Sequence, residues 1–168
     1  MGLDYILYRR EALGKDGRKI RVYKFRTMEL DAEHSWSSVV SANGRDELGK
    51  PINDPRLTRI GKTLRRYWID EIPQLYNIII SRDMSLVGIR PRPEEDWSLF
   101  PEGYKESALK HKPGLMGVNY ARLNSSLDEM MESESQYLDK KEEHPLLTDI
   151  EYFFRILYQI IFRGLRSK

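Results

Sequence analysis

From Asp149 to Lys168 the chain carries one narrow polar stripe, Arg155, Gln159, Arg163 and Arg166, spaced by four, four and three residues. The rest of that helix shows Ile150, Tyr152, Phe153, Phe154, Ile156, Leu157, Tyr158, Ile160, Ile161, Phe162 and Leu165. A helix apolar over so much of its circumference needs a cover. Either it lies in a membrane interface, where arginine and aromatic side chains suit its edges, or it docks on a core or a second copy. Composition divides the two evenly. Arg166-Ser167-Lys168 adds attraction to anionic headgroups. No segment reaches the ~20 apolar residues of a spanning helix, and Met1 to Arg10 holds no apolar run of signal-peptide length. The sequence as given therefore reads as neither transmembrane nor secreted by the usual signal.

A length of 168 residues, 40% of them hydrophobic, suits one domain with one core. There is no cysteine. Disulfides, thiolate metal sites and cysteine nucleophiles are excluded, and the composition fits a reducing compartment. The net charge of +2 conceals a segregation. Residues 9–26 hold eight cations against two acids, and residues 55–93 hold eight against three, whereas residues 128–151 hold nine acids against two lysines. Either basic block alone is most simply a solvated face. Together they imply an anionic partner: phosphate groups, nucleic acid or an anionic membrane.

Ile6–Arg10 and Ile20–Phe25 read as two strands of a hairpin around the turn Gly14-Lys15-Asp16-Gly17. Met28–His34 reads as a helix start, and Ser35–Asp54, with Asn43-Gly44, Gly49 and Pro51, as a long polar loop. Thr58–Trp68 reads as a helix with Ile60, Leu64 and Tyr67 on one face. In Asp70-Glu71-Ile72-Pro73 an acid at the N-cap, another in the first turn and a tolerated proline read as a second helix start, continued by Leu75, Ile78 and Ile79. Ser85–Gly88 is a short apolar piece and Pro91-Arg92-Pro93 is extended. Pro101–His111 reads as a short helix and Leu127–Lys141 as an acidic helix lying mostly at the surface.

Two carboxylates at a helix start sit at the positive end of its dipole, which favours their ionised form. An ionised aspartate is a competent nucleophile toward phosphorus, provided that cations cancel the repulsion between carboxylate and phosphate. Arg65 and Arg66 precede Asp70-Glu71, and Arg82, Arg90 and Arg92 follow it. Mg²⁺ would cancel the repulsion further. On these residues alone, ordinary helix capping is the stronger reading.

The wider pattern reverses that preference. Asp54-Pro55-Arg56-Leu57-Thr58-Arg59-Ile60-Gly61, Asp70-Glu71-Ile72-Pro73-Gln74-Leu75-Tyr76-Asn77, Asp83-Met84-Ser85-Leu86-Val87-Gly88 and Arg90-Pro91 stand in order. Lys24-Phe25-Arg26-Thr27-Met28 and Lys112-Pro113-Gly114-Leu115-Met116-Gly117 flank them. From about Tyr8 to Phe162 the chain resembles the bacterial sugar transferases, the monotopic phosphoglycosyl transferases. The resemblance implies that Asp70 attacks the β-phosphate of a UDP-sugar and expels UMP. Polyprenol phosphate then takes the phosphosugar. It implies Glu71 as helper in metal binding or proton handling, Mg²⁺ held by Asp70 and Glu71, and phosphate binding by Arg90. Arg92 follows at once and suits a share of that task, since bidentate guanidinium contacts fit a diphosphate. Lys24, Arg26, Arg56 and Arg66 are further candidates for phosphate. The resemblance also places Asp149 where the family carries an aspartate near its final helix.

Three departures qualify the likeness. Gly88-Ile89-Arg90-Pro91 stands for the usual Gly-Pro-Arg-Pro, and Arg82 for a common glycine. The family's membrane-entering segment, normally just before the strand that begins near Tyr5, is not in the sequence as given. His34, His111 and His144 are scattered, and Trp36, Trp68 and Trp97 read as packing anchors. The expected architecture is α+β: a mainly helical domain over residues 1–168, with an N-terminal β-hairpin and an interfacial helix at 149–168. The expected activity is phosphosugar transfer from a UDP-sugar to polyprenol phosphate at the cytoplasmic face of the cell membrane. A homo-oligomer is left open and a nucleic-acid partner is not expected, the apolar C-terminal helix speaking against one. The alternative is a catalytically weak, membrane-bound scaffold, against which the intact Asp70-Glu71 pair argues.

Overall fold

The computed structural model describes residues 5–32, 34–44, 51–122, 124 and 126–165, and for Trp36 the backbone alone. Gly49 of the expected loop and the terminal Arg166-Ser167-Lys168 lie outside the described residues. The architecture is α+β and mainly helical.

Strands β1 (Leu7–Leu13) and β2 (Lys19–Phe25) form an antiparallel hairpin in which Tyr8 faces Lys24 and Ala12 faces Ile20. Asp16 (φ 59°) and Gly17 (φ 70°) make its turn. The alternation along β2 buries Ile20 and Val22 against Ala12 and Met84 and sets Lys24 on that same face. The expected helix at Met28–His34 is not found. A turn occupies residues 30–32, and helix α1 (Trp36–Asn43) forms inside the stretch read as loop. Val39 and Ala32 are buried there, and these two small anchors are easily overlooked among serines.

Helix α2 (Arg59–Arg66) starts on Thr58, whose hydroxyl accepts from the Gly61 amide at 2.9 Å. A Cβ on Gly61 would lie 2.0 Å from the Thr27 carbonyl oxygen, so only glycine lets α2 approach the end of the hairpin this closely. A 3-10 turn follows at Ile69–Gln74, then a π-helical turn at Asn77–Ser81. Asp70 is therefore not the N-cap. Trp68 precedes the turn with φ 55°, and Asp70 lies inside it.

Strand β3 (Ser85–Gly88) pairs in parallel with β4 (Gly114–Gly117), a strand too short and glycine-rich to show in the sequence. Helix α3 (Glu102–Leu109) lies in the connection between them. Helices α4 (Leu127–Glu143) and α5 (Pro145–Phe162) close the domain. Ser126 caps α4 by accepting from the Glu129 amide at 3.2 Å, and Pro145 opens α5 where its missing N–H is harmless. The main core joins Val87, Ile89, Trp97, Val118, Tyr137, Leu138, Tyr152 and Ile156. Burying a side chain such as Ile156 stabilises by roughly 1.5–3 kcal/mol.

Helix α4 is less superficial than its acidity suggests. Ser133, Glu134, Tyr137, Leu138 and Lys141 are all buried, a regular helical stripe made largely of polar residues. Helix α5 divides its faces. Thr148, Tyr152 and Ile156 pack inward, while Leu146, Leu147, Ile150, Phe154, Tyr158, Ile161 and Phe162 are exposed. Among the described residues no helix is long and apolar enough to cross a membrane.

Candidate active site

The 3-10 turn after Trp68 carries both members of the Asp70-Glu71 pair into the interior, where they are 6% and 5% exposed. Buried carboxylates need partners. Glu71 Oε1 accepts from Lys24 Nζ at 3.1 Å and from Arg90 Nη2 in a closer ion pair. Burial alone would raise the Glu71 pKa. The charges and hydrogen bonds of Arg90 and Lys24 outweigh it and hold the carboxyl at about 2.

Asp70 is as buried but differs in its partners. Its Oδ1 is buried and has no hydrogen-bond partner among the described residues. Burial pushes its pKa up, opposed by Lys24, reinforced by the Glu71 charge, and opposed again by Arg65 and Arg90. Burial lowers the pKa of Lys24, with Glu71 pulling it back up. For Arg90 burial acts downward, but the Tyr120 oxygen and the Glu71 carboxylate outweigh it, so this guanidinium stays charged.

Arg90 reaches this position from the extended segment after β3. Its Nη1 donates to Tyr120 Oη at 3.2 Å, and its guanidinium lies 5.5 Å from the Tyr120 ring centre. A Cβ on Gly117 would come within 2.5 Å of Arg90 Cγ, so the glycine at the end of β4 leaves room for the arginine stem. The left-handed backbone at Trp68 is unusual for a bulky residue and costs on the order of 1–3 kcal/mol. Its indole meets Tyr120 edge to face at 5.9 Å. Trp68 is thus a contact of the site as well as a packing anchor. Behind the pair, fully buried Asn77 donates to the Arg21 carbonyl at 2.7 Å and to Asp83 at 3.1 Å, and accepts from the Tyr23 amide, tying the hairpin to the helix.

Of the cations expected to bind phosphate, Lys24 and Arg90 meet the pair. Arg92 does not. Its Nη2 donates to both oxygens of fully buried Glu134 (2.8 and 3.1 Å), its Nη1 to Tyr104 Oη at 3.1 Å, and Phe100 lies 4.5 Å from it. Arg56 is likewise turned elsewhere, forked onto Asp54 at 2.8 and 2.6 Å and donating to the Ala32 carbonyl. Arg26 sits over the Tyr8 ring at 5.4 Å, and Arg66 is exposed beside Tyr67. Its neighbour Arg65 is the one whose charge acts on Asp70. It is half-buried, donates to Thr27 Oγ1 at 2.9 Å and has its pKa lowered by burial, with the Asp70 carboxylate the largest effect acting against that. Two turns of a charged helix gave no basis for choosing between neighbours. Tyr120 and Asn77 carried no signal of their own.

Asp149 stands with α4: it accepts from Tyr137 Oη at 2.7 Å and from Lys141 Nζ at 2.8 Å. Among the described residues no group of three or more carboxylate or imidazole side chains is placed to hold a metal. The donor set still fits Mg²⁺ arriving with a diphosphate, because that ion commonly takes one or two protein carboxylates and fills its shell from phosphate and water. Orphaned Asp70 Oδ1 is the donor on offer, since Glu71 Oε1 is shared between two cations.

Over residues 2–163 the chain matches the family model described as bacterial sugar transferase. It is 32% identical over 166 residues to the galactosyl transferase CpsE of Streptococcus agalactiae, covering 96% of this chain and 36% of that protein. It is 31% identical over 176 residues to the UDP-glucose:undecaprenyl-phosphate glucose-1-phosphate transferase of Escherichia coli, covering 97% and 33%. A UDP-galactose-lipid carrier transferase of Erwinia amylovora is 38% identical over 117 residues, covering 67% and 24%. The chain thus spans about a third or less of the length of these relatives.

Proposed function

The chain belongs to the bacterial sugar transferase family, and from that premise we propose that it transfers a sugar 1-phosphate from a UDP-sugar to polyprenol phosphate through a covalent intermediate on Asp70. The observation that carries this reading is a buried carboxylate oxygen without a donor, set beside Lys24, Arg65 and Arg90. A capping residue would have its oxygen on a backbone N–H. This one is held ready for another atom.

In the first step a carboxylate oxygen of Asp70 attacks the β-phosphorus. The bond from that phosphorus to the bridging oxygen breaks, and UMP leaves with the electron pair. In the second step a phosphate oxygen of the polyprenol phosphate attacks the same phosphorus, and the aspartyl oxygen leaves as carboxylate. Burial makes Asp70 more basic than an ordinary aspartate and hence a stronger nucleophile once ionised. Glu71, ionised throughout the working range, anchors Lys24 and Arg90 so that both cations face the transferred phosphoryl group. A carboxyl held at about 2 suits that anchoring better than proton handling. Mg²⁺, held by Asp70 and the diphosphate, would supply further neutralisation of charge.

An acceptor with a polyprenyl tail is met at a lipid surface. The exposed face of α5, with Arg155 and Arg163 at its edge, suits a membrane interface. Ile69, Ile72, Tyr76, Ile79 and Ile80 expose apolar groups on the segment that carries the pair itself. This supports a reaction at the membrane, on the side where UDP-sugars are found, the cytoplasmic face.

Incubation with a panel of UDP-sugars and Mg²⁺, without lipid, is expected to release UMP and add the mass of one phosphosugar to Asp70 by intact-protein and peptide mass spectrometry. An adduct on another residue, or turnover with no adduct, would count against the assignment.

A further inference from the structure

Tyr120 sits in the short 3-10 turn Val118–Ala121 that leaves β4. Three contacts fix where it can be. Val118, at the start of the turn, is fully buried in the main core. Gln159, on the polar stripe of α5, turns inward to donate to the Ala121 carbonyl at 3.5 Å. The ring itself packs edge to face on Trp68, the residue whose left-handed backbone opens the turn carrying Asp70 and Glu71.

From that position the phenol oxygen accepts from Arg90 Nη1 at 3.2 Å, while the other terminal nitrogen of Arg90 is ion-paired with Glu71. A guanidinium is planar, and a hydrogen bond at each terminal nitrogen blocks rotation about the Nε–Cζ bond. With Glu71 alone, the group could pivot about a single contact. Tyr120 supplies the second point, and the ring under the guanidinium limits motion out of the plane.

We propose that Tyr120 is a positioning residue that locks the Arg90 guanidinium in one orientation between Glu71 and its own phenol oxygen, and that this orientation is what the transferred phosphoryl group meets. The second half of this proposal rests on the function proposed above. The first half does not. Tyr120 acts through Arg90 and needs no contact with substrate.

Tyr120→Phe separates this role from packing, because the ring against Trp68 and under Arg90 is kept and only the acceptor is lost. Nitrogen NMR of the arginine side chains in the full chain reads the lock directly. Two resolved terminal-nitrogen signals for Arg90 are expected in the parent. In Tyr120→Phe the rotation should be faster by roughly tenfold or more, with the melting temperature little changed. Unchanged rotation would overturn the proposal. In transfer assays with UDP-sugar, Tyr120→Phe should lower kcat/KM roughly tenfold, and the same change in an Arg90→Lys background should add almost nothing. An equal loss in both backgrounds would show that Tyr120 acts independently of Arg90 and would overturn it as well. Should the parent chain transfer nothing while the rotation responds as expected, the proposed function falls and the lock stands.

Discussion

Two buried clusters in this domain are built from the same three residue types. Glu71, Arg90 and Tyr120 form one, and Glu134, Arg92 and Tyr104 form the other, with the two arginines only two positions apart in the chain. The Glu134 cluster is closed. Both carboxylate oxygens accept from Arg92, Tyr104 donates to one of them, and Trp97, Phe100 and Tyr104 surround the guanidinium. The Glu71 cluster is open. It has an additional cation in Lys24, a neighbouring carboxylate with an orphaned oxygen, and a tryptophan in a left-handed backbone. Composition does not distinguish structural from chemical ion pairs. What separates these two clusters is the Asp70 oxygen beside Glu71, a buried carboxylate atom without a donor, whereas both oxygens of Glu134 are bonded.

The sharpest way to break this contrast is Asp70→Asn. If the open cluster is the reaction centre, turnover should fall on the order of a thousandfold or more, as it does when a nucleophile is removed. The melting temperature should hold or rise, because the fold holds the Asp70 pKa above its ordinary value and a neutral amide escapes the cost of that buried charge. Full activity in Asp70→Asn would return the residue to a structural role.

Arg92→Met should do the reverse. It strands Glu134, which has no exposure to water, and loss of one partner from such a pair costs about 3–5 kcal/mol. Denaturant unfolding measures that loss, while transfer per folded molecule should stay near the parent value. Arg90→Ala lies between. Glu71 keeps Lys24, so the fold should suffer less, but nucleotide-sugar affinity by calorimetry should drop by roughly ten- to a hundredfold, as for a lost charge-assisted contact.

Acid separates the two carboxylates of the open cluster. The Glu71 pKa is about 2 in the folded chain against 4.5 for the free side chain. Its ion pairs therefore stabilise fully above about pH 4.5, and that contribution, on the order of 3 kcal/mol, is lost as pH falls toward 2. Asp70 has the opposite sign, since its protonation relieves the fold. Stability measured against pH should fall over that window in the parent and more shallowly in Glu71→Gln. The acid limb of kcat/KM should lie above the ordinary aspartate range, because attack requires ionised Asp70.

How much of this could be read from the chain depends on what each residue was made to signal. The hairpin was legible because Gly14–Gly17 marks its turn and β2 alternates. The Asp70-Glu71 pair, Lys24 and Arg90 were legible through the motif pattern. Glu134 was hidden because its buried stripe on α4 is polar, and a hydropathy pattern cannot see a core face made of serine, glutamate and lysine. For the same reason the Arg92–Glu134 pair was hidden: the two lie 42 residues apart, with Glu134 on a helix that looked solvated. Helix α1 and strand β4 were missed because each is short and held by tertiary contacts rather than by its own propensity.

The smallest effect expected is also the finest test of the site's boundary. Arg65 and Arg66 are adjacent on α2, identical in chemistry, and lie five and four residues before Asp70. Arg65 is half-buried, bound to Thr27 Oγ1 and attracted by the Asp70 carboxylate, whereas Arg66 lies exposed beside Tyr67. An exposed cation over an aromatic ring contributes about 0.5–1 kcal/mol at most, and surface substitutions usually shift stability by no more than about 0.5 kcal/mol. Arg66→Ala should therefore leave the melting temperature almost unchanged and transfer within about twofold of the parent. Arg65→Ala should raise the Asp70 pKa further by removing a charge that lowers it, and so move the acid limb of kcat/KM upward. A matched pair of pH–rate profiles decides the matter. If Arg66→Ala moves that limb and Arg65→Ala does not, the cationic boundary of the open cluster has been drawn through the wrong arginine.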